Sequence, residues 1–279
     1  MAAPTAEPAR RTVLRFDRYD RLLHGLLMAA FLGLSLTGLP LLFADARWAQ
    51  VMAGLSGGYG VTSVLHRLFA TLLIGVFAAH LGRVLRRVYV HKELGLLWGP
   101  DSLVPQPRDV VQMAQHFRYF VGLGPRPRFD RFTYWEKFDY WAVFWGMGII
   151  GGSGLLLWFP GLFSRFLPGW VFNLAFIVHG EEALLATVFI FTVHFFNGHL
   201  RPEKFPMDTV IFTGRVDLHE LEHERPAEYA RLVASGRLEE KLVGPPSPRL
   251  RRVGVAVGTV AILLGLAMVT LTVYALLQH

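Results

Sequence analysis

Residues 63–86 read SVLHRLFATLLIGVFAAHLGRVLR, an apolar run with a histidine near each end and arginines closing it. A helix rises 1.5 Å per residue, and about 20 residues cross the roughly 30 Å of hydrocarbon in a bilayer. The stretch therefore has the length of a membrane span. His66 and His80 lie 14 residues apart in it, a rotation about 40° short of four turns and a rise of roughly 21 Å. The two imidazoles share one side of the helix at two depths.

The same arrangement recurs at 170–197, where His179 and His194 are 15 residues apart, about 60° past four turns and roughly 22 Å along the axis. Three further apolar stretches, 22–44, 138–159 and 253–277, bring the expected spans to five, and His24 stands near the start of the first. Composition agrees. Of the 279 residues 53% are hydrophobic and only 18% charged, with a mean hydropathy of +0.38, too apolar for an ordinary soluble domain of this length. The apolar run after Arg21 is too long for a secretory leader and lacks a small-residue cleavage signal. Residues 1–21 read as a tail before a retained helix.

The 28 Lys and Arg set the orientation. Five precede the first span (Arg10, Arg11, Arg15, Arg18, Arg21), ten run from Arg83 at the closing end of span two to Lys137, and ten more lie from Arg201 to Arg252. The two remaining loops hold only Arg47 and Arg165, and Arg67 sits inside a span. By the positive-inside rule the N-terminus and both long loops face the cytoplasm and His279 lies outside. The net charge of +7 is thereby explained by topology and calls for no nucleic acid.

There is no cysteine, which excludes thiolate-held iron–sulfur clusters, covalently attached haem and disulfides on this chain. A redox centre here must use other ligands. Ionisable residues inside spans are costly and usually functional, and here they are chiefly histidines. One such histidine is equally well read as a hydrogen-bonded packing residue; five at two depths are not. Metal–nitrogen bonds are about 2.0–2.1 Å, so imidazoles roughly 21–22 Å apart along one helix define two sites, each completed by another helix. Two stacked haems with paired histidine ligands fit this spacing. Depth pairs His66 with His179 at the outer level, and His194 with either His24 or His80 at the inner one. Gly25, Gly33 and Gly38 in span one, and Gly146, Gly148, Gly151, Gly152 and Gly154 in span three, give small faces for a macrocycle or a packed helix. Arg67 can pair with a haem propionate or snorkel to the interface. Glu181 and Glu182, close to His179, are candidate proton relays or solvated interfacial acids.

Four motifs, RFDRYDRLLHGLLMAAFLGLSLTGLPLLF (15–43), VLHRLFATLLIGVFAAH (64–80), YWEKFDYWAVFWGMGIIGGSGLLLWFP (134–160) and IVHGEEALLATVFIFTVHFF (177–196), with TGRVDLHELEHERPAEYARL (213–232) behind them, resemble the cytochrome b gamma subunits of formate dehydrogenases and the related subunits of nickel–iron hydrogenases. The resemblance covers most of 15–235 and leaves the fifth span outside. It implies ligands from the first, second and fourth helices, by position His24, His66, His179 and His194, and so favours His24 over His80. It further implies a respiratory electron-transfer subunit of a quinone-dependent oxidoreductase in a bacterial inner membrane. Such a subunit exchanges electrons between menaquinone or ubiquinone near the inner haem and an outer-face partner carrying iron–sulfur clusters or c-type haems, within a hetero-oligomeric complex. The Asn and Gln that the family tends to use at the quinone appear here as Thr133 and Glu136. His199, Asn197 and Arg201, just beyond His194, are further quinone or proton candidates.

His219-Glu220-Leu221-Glu222-His223 is formally H-E-x-x-H, in which two histidines on one helix face bind zinc and the glutamate is general base. It lies in a charged loop with Pro226 close behind, and a solvated helix surface explains it as well. A membrane zinc metalloprotease and a haem-free proton-coupled transporter are thus the alternative readings. The expected architecture is an all-α integral membrane protein. It comprises a tail (1–21), a four-helix bundle holding two b-type haems (22–197, with a cytoplasmic loop 87–137), a second cytoplasmic loop (198–252) and a fifth transmembrane helix (253–279).

Overall fold

The computed structural model of the protein describes residues 11–278; Arg10 and His279, used above to set the orientation, lie outside them. In chain order the principal helices are α1 (Arg18–Leu42), α2 (Arg47–Leu55), α3 (Tyr59–Tyr89), α4 (Pro107–Phe120), α5 (Tyr134–Trp158), α6 (Trp170–Leu200), α7 (Leu218–Glu224), α8 (Pro226–Ala234) and α9 (Pro248–Leu276). Among the described residues α1, α3, α5, α6 and α9 are long and apolar enough to cross a membrane. The chain is a mainly helical, multi-pass membrane protein.

The spans start earlier than hydropathy marks them, because their polar ends are capped. At the start of α1 the Asp20 amide donates to the Asp17 carboxylate at 2.8 Å, and the Asp17 amide donates to Asp20 at 3.3 Å. This reciprocal arrangement satisfies two otherwise orphaned N–H groups. Arg83, near the end of α3, pairs with Asp17 and, at 3.4 Å, with Asp20, and its guanidinium lies 4.4 Å from the Tyr19 ring centre. At the start of α5 the Thr133 amide and hydroxyl both donate to Glu136 at 2.8 Å, the same box in Thr/Glu form.

The chain divides into two compact units. One comprises the residues up to Arg21, Arg83–Tyr140 and Thr209–Gly254. Strands β1 (Thr12–Leu14), β2 (Arg215–Asp217) and β3 (Leu242–Val243) form an antiparallel sheet in the order β2-β1-β3, with Val13 opposite both Val216 and Leu242. Val13, Val210, Val216, Leu221 and Leu232 make its core. Gly214 adopts a φ of +78°, and a Cβ there would lie 2.4 Å from the Phe16 carbonyl oxygen. Only glycine suits that turn. Around the core, Glu228 holds Arg15 at 3.0 Å and Arg131 at 3.4 Å, Glu136 holds Arg225 at 3.0 Å and Arg15 at 3.6 Å, and Arg231 joins Asp101 and Asp130. The two long polar stretches expected as loops are thus a folded, ion-paired unit containing a small sheet. Strands of two or three residues are too short for an alternation pattern to register, so the purely α-helical expectation misses them.

The other unit comprises Leu22–Gly82, Trp141–Asp208 and Val255 onward. Its core of Leu39, Phe191, Phe195, Ala261 and Met268 joins α1, α6 and α9. A Cβ on Gly265 of α9 would lie 2.4 Å from the Phe191 ring, so the fifth span interlocks with the fourth rather than merely flanking it.

Candidate functional site

The second unit brings His66 of α3 and His179 of α6 together. Their ring centres are 6.2 Å apart and their planes cross at 81°. The hydrogen bonds on the far side of each ring fix which nitrogen is free. His179 Nδ1 lies 2.9 Å from the Ile150 carbonyl oxygen, a pure acceptor, and 3.3 Å from Ser153 Oγ. Nδ1 therefore carries the proton and donates it. His66 Nδ1 lies 3.0 Å from Thr37 Oγ1, whose own proton is given to the Gly33 carbonyl at 2.7 Å. The hydroxyl is then an acceptor, and His66 Nδ1 donates. Both histidines thereby keep an Nε2 lone pair available to a ligand.

An imidazole nitrogen lies about 1.1 Å from its ring centre and a metal–imidazole bond is about 2.0–2.1 Å. Two imidazoles on opposite sides of one metal ion thus have centres about 6.3 Å apart. The observed 6.2 Å matches this, and the Nδ1 bonds are the outer contacts that orient ligating histidines. The residues fit a bis-histidine haem. Two of the glycines singled out in the sequence admit these rings: a Cβ on Gly38 would lie 3.0 Å from His66 Cε1, and one on Gly154 would lie 3.0 Å from His179 Cε1.

Ile150 belongs to a π-helical turn, Met147–Gly151, inside α5. Two more π turns, Ile190–His194 and Phe196–Leu200, interrupt α6. Such turns are rare and cluster at functional sites. Here they lie at both histidine levels. In an α-helix, residues five apart point about 140° away from each other, whereas i→i+5 bonding stacks them. The π turns thereby draw His199 toward the side that carries His194.

At that second level His24 of α1 is within electrostatic reach of both His194 and His199, and His199 is in reach of His194 and Asp208. Asp208 pairs with Lys204 at 3.2 Å. His199 Nδ1 is buried with no hydrogen-bond partner among the described residues. Phe195 packs between the two α6 histidines, its ring centre 6.3 Å from that of His194 and 6.0 Å from that of His199. His80 instead meets Phe144 of α5 edge-on, centres 6.4 Å apart.

The other sequence candidates are placed as follows. Arg67 lies over the Trp158 ring at 5.8 Å, a cation–π contact. Glu182 accepts from Trp145 Nε1 at 3.3 Å, and Glu181 is exposed. Asn197 is half-buried within the second π turn of α6, and Arg201 follows it as the cap. Thr133 and Glu136 spend their polar atoms on the α5 cap and on Arg15 and Arg225. His219 and His223 are exposed on α7, whose seven residues start at the Asp217 cap. Among the described residues no group of three or more His, Asp or Glu side chains is placed to hold a metal ion.

Thr37, Ser153 and the Ile150 carbonyl were not foreseen. The signal for Thr37 is its place next to Gly38, one residue from the His66 notch. The carbonyl had none, since a π turn leaves no mark in hydropathy. No protein-family model matches the chain, and no curated protein matches it.

Proposed function

We propose that the chain is a membrane cytochrome b carrying two b-type haems, of the kind found in formate dehydrogenase and hydrogenase gamma subunits. One observation carries the reading: His66 and His179 sit with ring centres 6.2 Å apart and both Nδ1 atoms engaged, which leaves Nε2 as the nitrogen with the lone pair. His66 and His179 hold the outer haem, and His24 and His194 the inner one. Bound haem supplies the one-electron chemistry, and the protein supplies ligation, burial and spacing. Thr37 and the Ile150 carbonyl hold the imidazoles in the ligating tautomer. His199, Asn197 and Arg201 are assigned to a quinone beside the inner haem, where the His199 and Asp208 pair can exchange its protons. With 25 of the 28 basic residues on one side, the N-terminus and the ion-paired unit face the cytoplasm of a bacterial inner membrane. An outer-face partner with iron–sulfur clusters or c-type haems completes the electron path.

Haem quantification with reduced-minus-oxidised spectra tests this. Two haems per chain are expected in the wild type, one after His66→Ala, His179→Ala or His24→Ala, and two after His80→Ala. Wild-type protein without visible absorbance overturns the reading in favour of a haem-free transporter or protease. Loss in His80→Ala but not in His24→Ala overturns the inner ligand assignment.

A further inference from the structure

The helix α4, between the second and third spans, has its polarity reversed. At 100° per residue, Asp109, Gln112 and His116 share an arc of about 60°, and Met113, Phe117, Val110, Val121 and Ala114 fill an adjoining arc of about 100°. The polar face is the buried one. Asp109 and His116 are each 7% exposed, while Val110 and Phe117 are each 62% and Val121 67% exposed, with Phe120 and Leu123 beside them at 66% and 67%. A monomer in water does not present a continuous apolar face of this kind without a use for it.

The buried face shows where the helix sits. Lys137 Nζ is 2.8 Å from both Asp109 carboxylate oxygens, and His116 Nδ1 is 3.1 Å from the Tyr134 hydroxyl. Tyr134 and Lys137 form the first turn of α5, a spanning helix. A helix fastened to that turn lies at the height of the bilayer surface. The ring of His116 is packed among Phe120, Phe129 and Trp135, centres 4.2, 5.3 and 5.4 Å away, so the attachment is rigid. Arg118 and Arg128 are exposed and Arg126 half-exposed beside the apolar face, the pattern of a helix lying in the headgroup region with cations toward anionic lipid.

We propose that α4 is a membrane-surface helix that inserts Val110, Met113, Phe117 and Val121 into the leaflet adjoining the basic loops, with Arg118, Arg126 and Arg128 on anionic headgroups. Tyr89, 67% exposed at the end of α3, and Phe138, 61% exposed in α5, are likewise exposed on helices long and apolar enough to span. Lipid is therefore the occupant that suits an apolar face fastened to the first turn of α5.

The chain has no cysteine, so single-cysteine spin labels read one position each in the full-length protein. Labels at V110C, F117C and V121C, with exposed Q115C and E222C as controls, are compared in vesicles for collision with oxygen, which partitions into lipid, and with a water-soluble nickel chelate. Oxygen should dominate at 110, 117 and 121 and nickel at 115 and 222. The oxygen-to-nickel ratio at 117 should rise when phosphatidylglycerol replaces part of the phosphatidylcholine, and Arg118→Gln should reduce that rise. Nickel dominance at 110, 117 and 121 overturns the proposal, as does shielding from both reagents, which marks a protein surface covered by a second copy. Equal ratios in the two lipid mixtures overturn the anionic-headgroup part. Monodisperse elution and an unchanged helical circular dichroism spectrum show that each variant is folded, whatever its haem content.

Discussion

The hydrogen bond from His66 to Thr37 gives the strictest test of the outer site, because it can be removed almost without a change of shape. Thr37 is 5% exposed, and its hydroxyl accepts from His66 Nδ1 at 3.0 Å. Thr37→Val leaves that N–H with the Leu34 carbonyl as its one remaining acceptor, a loss of up to about 1–3 kcal/mol. In metal sites such a loss lowers affinity by about 10–100-fold. The bond also feeds electron density into the imidazole, which favours the more highly charged, oxidised iron. Removing it destabilises the oxidised form preferentially and raises the midpoint potential. If about 1 kcal/mol of the loss is selective for that form, the rise is about 40 mV, since a tenfold change corresponds to 59 mV for one electron and about 1.4 kcal/mol. Potentiometric titration of the two haem transitions checks this. One transition should move up by about 20–60 mV, and it should be the one that His66→Ala abolishes and His24→Ala keeps. Ser153→Ala is the internal control. The Ser153 hydroxyl is 3.3 Å from His179 Nδ1, while the Ile150 carbonyl at 2.9 Å keeps the main bond, so its shift should be smaller. An unmoved outer transition in Thr37→Val, or an equal shift in both transitions, would refute the tautomer and ligand assignment together.

Two further outcomes follow from contacts on either side of the bilayer surface. Gly154→Val places methyl groups where even a Cβ lies 3.0 Å from His179 Cε1, so the purified variant should hold one haem instead of two and keep the inner spectrum; two intact haems would show that the ring has room. In the ion-paired unit, burial alone would push the Asp101 carboxyl up, but the hydrogen bond and charge of Arg231 outweigh it, helped by Arg131 and Lys241, and hold it below the ordinary 3.8. A carboxyl lowered in the folded state stabilises at pH above its unfolded value, and the contribution is lost as pH falls through the folded one. Thermal unfolding should thus lose stability below about pH 3.8, and Arg231→Gln should flatten that part of the profile; an unchanged slope would remove the pair from the ledger.

The spans were legible because hydrophobic length and histidine depth are one-dimensional quantities. His66 and His179 meet as their depths require. His199 was less legible, because the 3.6-residue period places it on the wrong side of α6 and only the π turns bring it toward His194. The polar stretches 87–137 and 198–252 were illegible for a different reason. Their fold rests on pairs such as Arg15 with Glu228 and Arg231 with Asp101, 213 and 130 residues apart, and a local pattern carries no trace of such partners. The reversed polarity of α4 is plain on a helical wheel. Which face is buried is set by Lys137, 28 residues away, taking Asp109.

The π turns also bear on the proposed quinone site, where His199 lies within electrostatic reach of His24 and His194. A regular helix holding His194 toward His24 would turn His199 about 140° away, into the surroundings of α6. Widening the helix carries a cost in hydrogen-bond geometry and leaves His199 Nδ1 buried and unpartnered, a further cost of about 1–3 kcal/mol. Penalties of this kind persist where surrounding structure enforces them for a function. A ligand that accepts a hydrogen bond from His199, which lies within electrostatic reach of Asp208, accounts for both costs. A quinone carbonyl is such a ligand, and the proposed assignment of His199 to it rests on this balance rather than on nearness to His194 in the sequence.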